Sequence, residues 1–142
     1  MSANLRRLIL KSAGVLLVVL GALHLGVTPF IRQFIAQNAI ADRVEWFTPP
    51  MLLNHTVVGI LLLPLGFLTY YSASSAVAGE RWALVVVRTS ALAVALLPVT
   101  LSFVMGDRYF GAAPFLAATI IVSLASLLLL ASAFWPVKSA AV

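Results

Sequence analysis

The sequence contains no cysteine and very few charged residues. Of its 142 residues, 9% are charged, and only 4 of these charged residues are acidic. Without cysteine the chain cannot form disulfides, thiolate metal sites, iron–sulfur clusters or covalent haem attachments. A water-soluble domain carries about 25% charged residues, so this chain has too little polar surface to cover a globule. With a mean hydropathy of +1.11, we predict a single integral membrane domain over residues 1–142.

Four apolar runs are each long enough to cross the hydrocarbon core of a bilayer, which is about 30 Å thick, as a helix. The predicted spans are residues 8–27, 51–72, 82–105 and 112–135. The strands of a membrane barrel are short and alternate in polarity, whereas these runs are continuous. We therefore predict an all-α membrane protein, a four-transmembrane-helix bundle.

The first outer loop is the one sizeable connection in this arrangement. The pairs Thr28–Pro29 and Thr48–Pro49 resemble helix starts, because proline is tolerated in a first turn. Apolar residues then recur four apart in residues 29–41, next to a polar side. This pattern predicts an interfacial amphipathic helix. It either bridges two spans or covers a site that opens outward.

The basic residues are unevenly distributed between the two predicted faces. With four spans, both termini and the second loop share a face, which holds six of the 9 Lys and Arg residues: Arg6, Arg7, Lys11, Arg81, Arg88 and Lys138. The positive-inside tendency then places both termini in the cytoplasm of a bacterial-type inner membrane. The basic residues behind the net charge of +5 set the membrane topology and attract anionic lipid headgroups. We therefore expect no nucleic-acid partner.

The two histidines of the chain fall at matching depth on consecutive spans. His24 is near the outer end of the first span, and His55 is near the outer start of the second. At 1.5 Å per residue, each lies roughly 24 Å from the inner boundary. Ionisable residues within a membrane are costly and mark candidate functional sites. The pair is therefore the first candidate site.

A matched imidazole pair is compatible with several kinds of chemistry. The two rings could ligate haem b, recognise a quinone carbonyl or exchange protons. They could also bind a metal together with an outer-face carboxylate, for which Asp42, Glu45 and Asp107 are the candidates. The structural alternative is interhelical hydrogen bonding, for example with Asn54 or a backbone carbonyl. The sequence leaves these alternatives open.

Arg88 is the other charged residue predicted inside a span. It lies six residues into the third span, about 9 Å deep at 1.5 Å per residue. We expect its guanidinium to snorkel to cytoplasmic phosphates. In the alternative orientation it faces the bundle and pairs with a substrate anion or a tyrosine.

Several functional signatures are missing from the sequence. There is no serine-nucleophile motif, no phosphate-binding glycine loop and no HExxH. No carboxylate lies near the membrane midplane, where cation-coupled transporters bind their ions. We expect no enzymatic activity, and predict a non-catalytic accessory or assembly subunit of a larger membrane complex, with lipid and other membrane subunits as partners. The alternatives are an electron-transfer subunit that holds haem b or a quinone near His24 and His55, and a component of small-molecule or lipid transport.

Overall fold

The computed structural model describes residues 1–38, 44–104, 110 and 113–136. Within these residues all regular secondary structure is helical, and there is no strand. The prediction of an all-α protein is confirmed. Four helices are described in these ranges: α1 (Ala3–Asn38), α2 (Val44–Ala78), α3 (Arg81–Val104) and α4 (Ala113–Ala133).

Three of these helices, α1, α2 and α3, are long and apolar enough to cross a membrane. They contain the first two predicted spans completely and the third as far as Val104. Helix α4 has 21 residues and is therefore about 31 Å long, and residues Thr119–Ala133 within it form an apolar stretch. A fourth crossing by α4 stays a prediction.

The helix boundaries differ from the predicted ones at the prolines. Helix α1 continues through Pro29 to Asn38, so residues 29–38 are its last turns and not a separate helix. Helix α2 begins at Val44, ahead of Pro49 and Pro50. A proline removes one backbone donor and leaves the remaining hydrogen bonds of the helix in place, and membrane helices tolerate this loss. The position of residues 29–38 at a membrane interface stays a prediction.

The chain divides into two compact units. The hairpin unit comprises Gly14–Phe67, and the terminal unit comprises Met1–Ala13 together with Leu68–Val142. Each unit has its own buried contacts. The hairpin unit contains the two histidines, and the terminal unit contains Arg88.

Glycine allows α1 and α2 to approach closely in the hairpin unit. A Cβ atom added to Gly66 would lie 2.6 Å from the carbonyl oxygen of Gly14. One added to Gly21 would lie 2.9 Å from the carbonyl oxygen of Gly59. Real side chains do not come this close to a backbone. The two helices therefore pack backbone to backbone, a mode of association that is common in lipid.

In the terminal unit, α3 packs against α4. The buried residues of α3 recur three or four apart, so they lie on one face of the helix; they are Ala83, Val87, Ser90, Ala91 and Val94. On α4, the hydroxyl of the buried Ser126 lies 2.7 Å from the carbonyl oxygen of Val122, one turn earlier in the same helix, and 3.3 Å from that of Val94 on α3. Small side chains thus join the two helices, and the Ser126 hydroxyl is shared between a bond within α4 and a longer contact to α3.

Candidate functional site

The hairpin unit brings the two histidines into direct contact. The ring centroids of His24 and His55 are 4.6 Å apart, and their planes are inclined by 30°, so the imidazoles are stacked. Both side chains are half-buried. The residues predicted at equal depth therefore face each other across the contact between α1 and α2.

Backbone carbonyls hold both rings. His24 Nδ1 lies 2.9 Å from the carbonyl oxygen of Leu20, one turn earlier in α1. His55 Nδ1 lies 3.0 Å from the carbonyl oxygen of His24. Because a carbonyl only accepts hydrogen bonds, each Nδ1 has to carry the proton. This network assigns the Nδ1–H tautomer to both neutral imidazoles.

Thr28 completes the hydrogen-bond network. Its hydroxyl donates to the carbonyl oxygen of His24 at 2.7 Å and lies 3.3 Å from His55 Nδ1. The Thr28 hydroxyl and His55 Nδ1 therefore converge on the same carbonyl oxygen of His24. Thr28 was not among the predicted site residues. Its position four residues after His24 could have revealed it, since Ser and Thr side chains commonly bond back to the carbonyl one turn earlier.

The close contact between the histidines depends on glycines about one turn away. Gly21 precedes His24 by three residues, and Gly59 follows His55 by four. A Cβ atom on Gly59 would lie 2.8 Å from Cγ of Leu25 and 3.0 Å from the carbonyl oxygen of Gly21. Any larger residue at these positions would push α2 away from α1. The rings would then lose both their stacking and the shared carbonyl.

The stacked arrangement limits what the pair can bind. A haem ligated by both residues would have to lie between the two Nε2 atoms, with each ring edge-on to the macrocycle. His24 and His55 instead present their flat faces to each other at 4.6 Å, so no macrocycle fits between them. In the neutral Nδ1–H form, each Nε2 is a hydrogen-bond acceptor. The pair is suited to accepting a hydrogen bond from a hydroxyl group such as that of a quinol.

The predicted carboxylate ligands do not complete a metal site in the part of the chain that is described. There, no group of three or more His, Cys, Asp or Glu residues could hold a metal ion. Glu45 is exposed and precedes His55 by ten residues on one continuous helix, a rise of about 15 Å. Asp42 and Asp107 lie outside the described residues. Asn54 is exposed, and the hydrogen bonds of the histidines go to Thr28 and backbone carbonyls instead.

Arg88 lies against the end of α4 in the terminal unit. Its Nε lies 3.4 Å from the carbonyl oxygen of Ala133, and its guanidinium lies 5.4 Å from the centroid of the Phe134 ring. Arg6 contacts the same turn, since its Nε donates to the carbonyl oxygen of Ser132 at 2.8 Å. Arg88 thus takes the bundle-facing direction. Arg6, predicted only as a flanking charge, is buried, with 3% of its surface exposed.

No family model, curated protein or solved structure matches this chain. Two groups of polar residues therefore stand out by geometry alone. They are the imidazole pair of the hairpin unit, and the arginine pair of the terminal unit.

Proposed function

We propose that this chain is a small polytopic membrane protein that acts as a non-catalytic accessory or assembly subunit of a larger membrane complex. In this proposal α4 makes the fourth crossing, and both termini lie in the cytoplasm of a bacterial-type inner membrane. Three candidate spans and the excess of basic residues on one predicted face support this topology.

The observation that carries the proposal is the use that the hairpin unit makes of its histidines. Each Nδ1 is bonded to a backbone carbonyl, and His55 reaches across to α1 to do so. The rings stack on each other and leave no room for a cofactor between them. The residues best suited to chemistry thus join two helices. This use is typical of polar residues at helix contacts in membranes.

The surface of the helices supports a role as a subunit. On α3, exposed apolar side chains recur at the spacing of a single helix face; they are Leu92, Leu96, Val99 and Phe103, of which Phe103 is 87% exposed. The small and buried residues of α3 lie on the side that packs against α4. The exposed stripe is available to the helix of a partner subunit as well as to acyl chains.

Site-specific photo-crosslinking in native membranes tests this proposal. A photoreactive residue at position 96 or 103 is expected to give adducts of one discrete protein mass, and the same residue at buried position 87 is expected to give none. The proposal is refuted if positions 96 and 103 give lipid adducts alone while the chain purifies from several mild detergents without partners.

A second candidate is a membrane electron-transfer subunit that binds a quinol at His24 and His55. The stacked rings, each with an Nε2 acceptor in the Nδ1–H form, favour this ligand over haem b. It predicts that a quinol analogue protects the protein against unfolding, and that His24→Gln abolishes this protection while Asn54→Ala leaves it unchanged. A Soret band that disappears in His24→Gln would favour haem instead and would contradict the stacked geometry.

A further inference from the structure

Two arginines converge on the last turn of α4 in the terminal unit. Arg6 Nε donates to the carbonyl oxygen of Ser132, and Arg88 Nε lies 3.4 Å from that of Ala133. The last carbonyls of a helix have no partner within it and form the negative end of its dipole. That end carries only about half an elementary charge. The two guanidinium groups therefore leave a local excess of positive charge.

The terminal unit offers these cations no free carboxylate among its described residues. Glu80 is the one acid there, and its Oε2 accepts a hydrogen bond from Trp82 Nε1 at 2.7 Å. Buried charges in proteins are normally paired. An additional anion is thus needed to neutralise the arginine pair.

Two buried polar atoms at this place also lack hydrogen-bond partners. They are Nη2 of Arg6 and Oγ of Ser132, and only 3% of the Arg6 surface is exposed. Buried groups left in this state cost free energy, and charged groups cost more than neutral ones. An oxyanion can accept from a guanidinium N–H and from a serine hydroxyl at the same time. The unsatisfied atoms and the unbalanced charge require the same kind of ligand.

We propose that Arg6, Arg88 and Ser132 form a binding site for the phosphate group of an anionic phospholipid. Arg88 can turn toward the phosphate at little cost, because its contact with Ala133 is longer than the usual 2.7–3.2 Å for an N–H···O bond. The phosphate then bridges Arg88 to Arg6 at the end of α4. This site does not depend on the proposed role as an accessory subunit.

The surroundings of the arginine pair fit a lipid better than free phosphate. Phe134 is 47% exposed, Trp135 is 41% exposed and Trp82 is 48% exposed. Aromatic residues of this kind are typical of the headgroup level of a membrane. Apolar side chains of α3 and α4, such as Val85 and Leu128, are exposed as well. Acyl chains attached to the phosphate would cover such side chains, whereas inorganic phosphate would leave them uncovered.

Native mass spectrometry of the full chain in mild detergent tests the site. Phosphatidylglycerol and phosphatidylcholine are titrated separately, and inorganic phosphate is added as a competitor. We expect tight binding of one phosphatidylglycerol, and an affinity roughly tenfold lower in Arg88→Gln, the loss expected when one charge-assisted contact is removed. Arg7→Gln removes the same charge from the exposed neighbour of Arg6 and is expected to change the affinity less than about twofold.

Further variants keep the test decisive if Arg6→Gln fails to fold. Arg88→Lys keeps the charge but loses the planar fork of donors, so we expect a reduced affinity in spite of the unchanged charge. Ser132→Ala is expected to weaken binding as well. Equal losses in Arg7→Gln and Arg88→Gln would show diffuse attraction and overturn the site. Displacement of the lipid by equimolar inorganic phosphate, or equal affinity for phosphatidylcholine, would overturn its assignment to an anionic phospholipid.

Discussion

A methyl group added at Gly66 is expected to separate α1 from α2 in the hairpin unit. The new Cβ atom in Gly66→Ala would lie 2.6 Å from the carbonyl oxygen of Gly14 and 2.7 Å from the backbone nitrogen of Val18. Neither backbone atom can move aside without moving its helix. Overpacking of this kind typically costs about 1–3 kcal/mol, and contacts with backbone place this variant near the upper end of that range.

Gly26 offers a matched control on the same unit. A Cβ atom there meets nothing within 4 Å. Gly26→Ala should therefore show only the gain in helix propensity, roughly 0.5–1 kcal/mol. The same gain offsets part of the clash at Gly66. Because this gain is common to both variants, it cancels in the comparison, and we expect the free energies of unfolding of the two alanine variants to differ by roughly 3 kcal/mol, the cost of the clash alone.

The assay can use the absence of cysteine from the chain. Cysteines introduced at exposed positions 23 and 60 carry a donor and an acceptor dye, and energy transfer is followed while SDS is titrated into mild-detergent micelles. Gly66→Ala should lose transfer at lower SDS than the parent, and Gly26→Ala at equal or higher SDS. The proposed backbone contact is refuted if both alanine variants unfold together with the parent.

Two further predictions concern hydrogen bonds between helices. His55→Ala removes the bond to the His24 carbonyl and is expected to lower the free energy of unfolding by about 1 kcal/mol. The substitution Asn54→Ala, at an exposed position, should change this free energy little. Equal effects of the two substitutions in the same SDS titration would contradict the assigned network. Ser126→Ala removes a hydroxyl that is shared between the carbonyl oxygens of Val122 in α4 and Val94 in α3, and it is expected to cost about 0.6 kcal/mol. Ser123→Ala removes only a bond within α4 and should cost less. A larger loss for the Ser123 variant would show that the α3–α4 contact does not depend on Ser126.

The sequence predicts helices well here because their apolar runs are long. Residues 51–72 fall inside α2 and residues 8–27 inside α1. The helix ends were harder to place, because Pro29 and Pro49 were interpreted as starts. A proline is compatible with the first turn of a helix. A long helix can also contain a proline in its interior, because its other backbone hydrogen bonds remain. The proline signal alone could not distinguish these two cases.

The candidate sites were only partly predictable, because the depth of a side chain along its helix and the direction in which it points depend on different properties of the sequence. The equal depths of His24 and His55 follow from counting residues along two helices. Their stacking depends on how each helix is rotated about its own axis. Successive side chains point about 100° apart around a helix, and the glycine contacts fix which side chains face the other helix. The contact of Arg6 with Ser132 could not be predicted, since nothing local in the sequence connects residues 126 apart.

That separation has a consequence for how the protein is made. Ribosomes add about 5–20 residues per second, so roughly 6–25 s pass between the synthesis of Arg6 and that of its carbonyl acceptor. The glycines at which α1 contacts α2 are synthesised much earlier, the last of them at residue 66. During this interval α1 and α2 can already pair through these glycines. The guanidinium of Arg6 has to remain solvated, or held by lipid, until the last helix arrives.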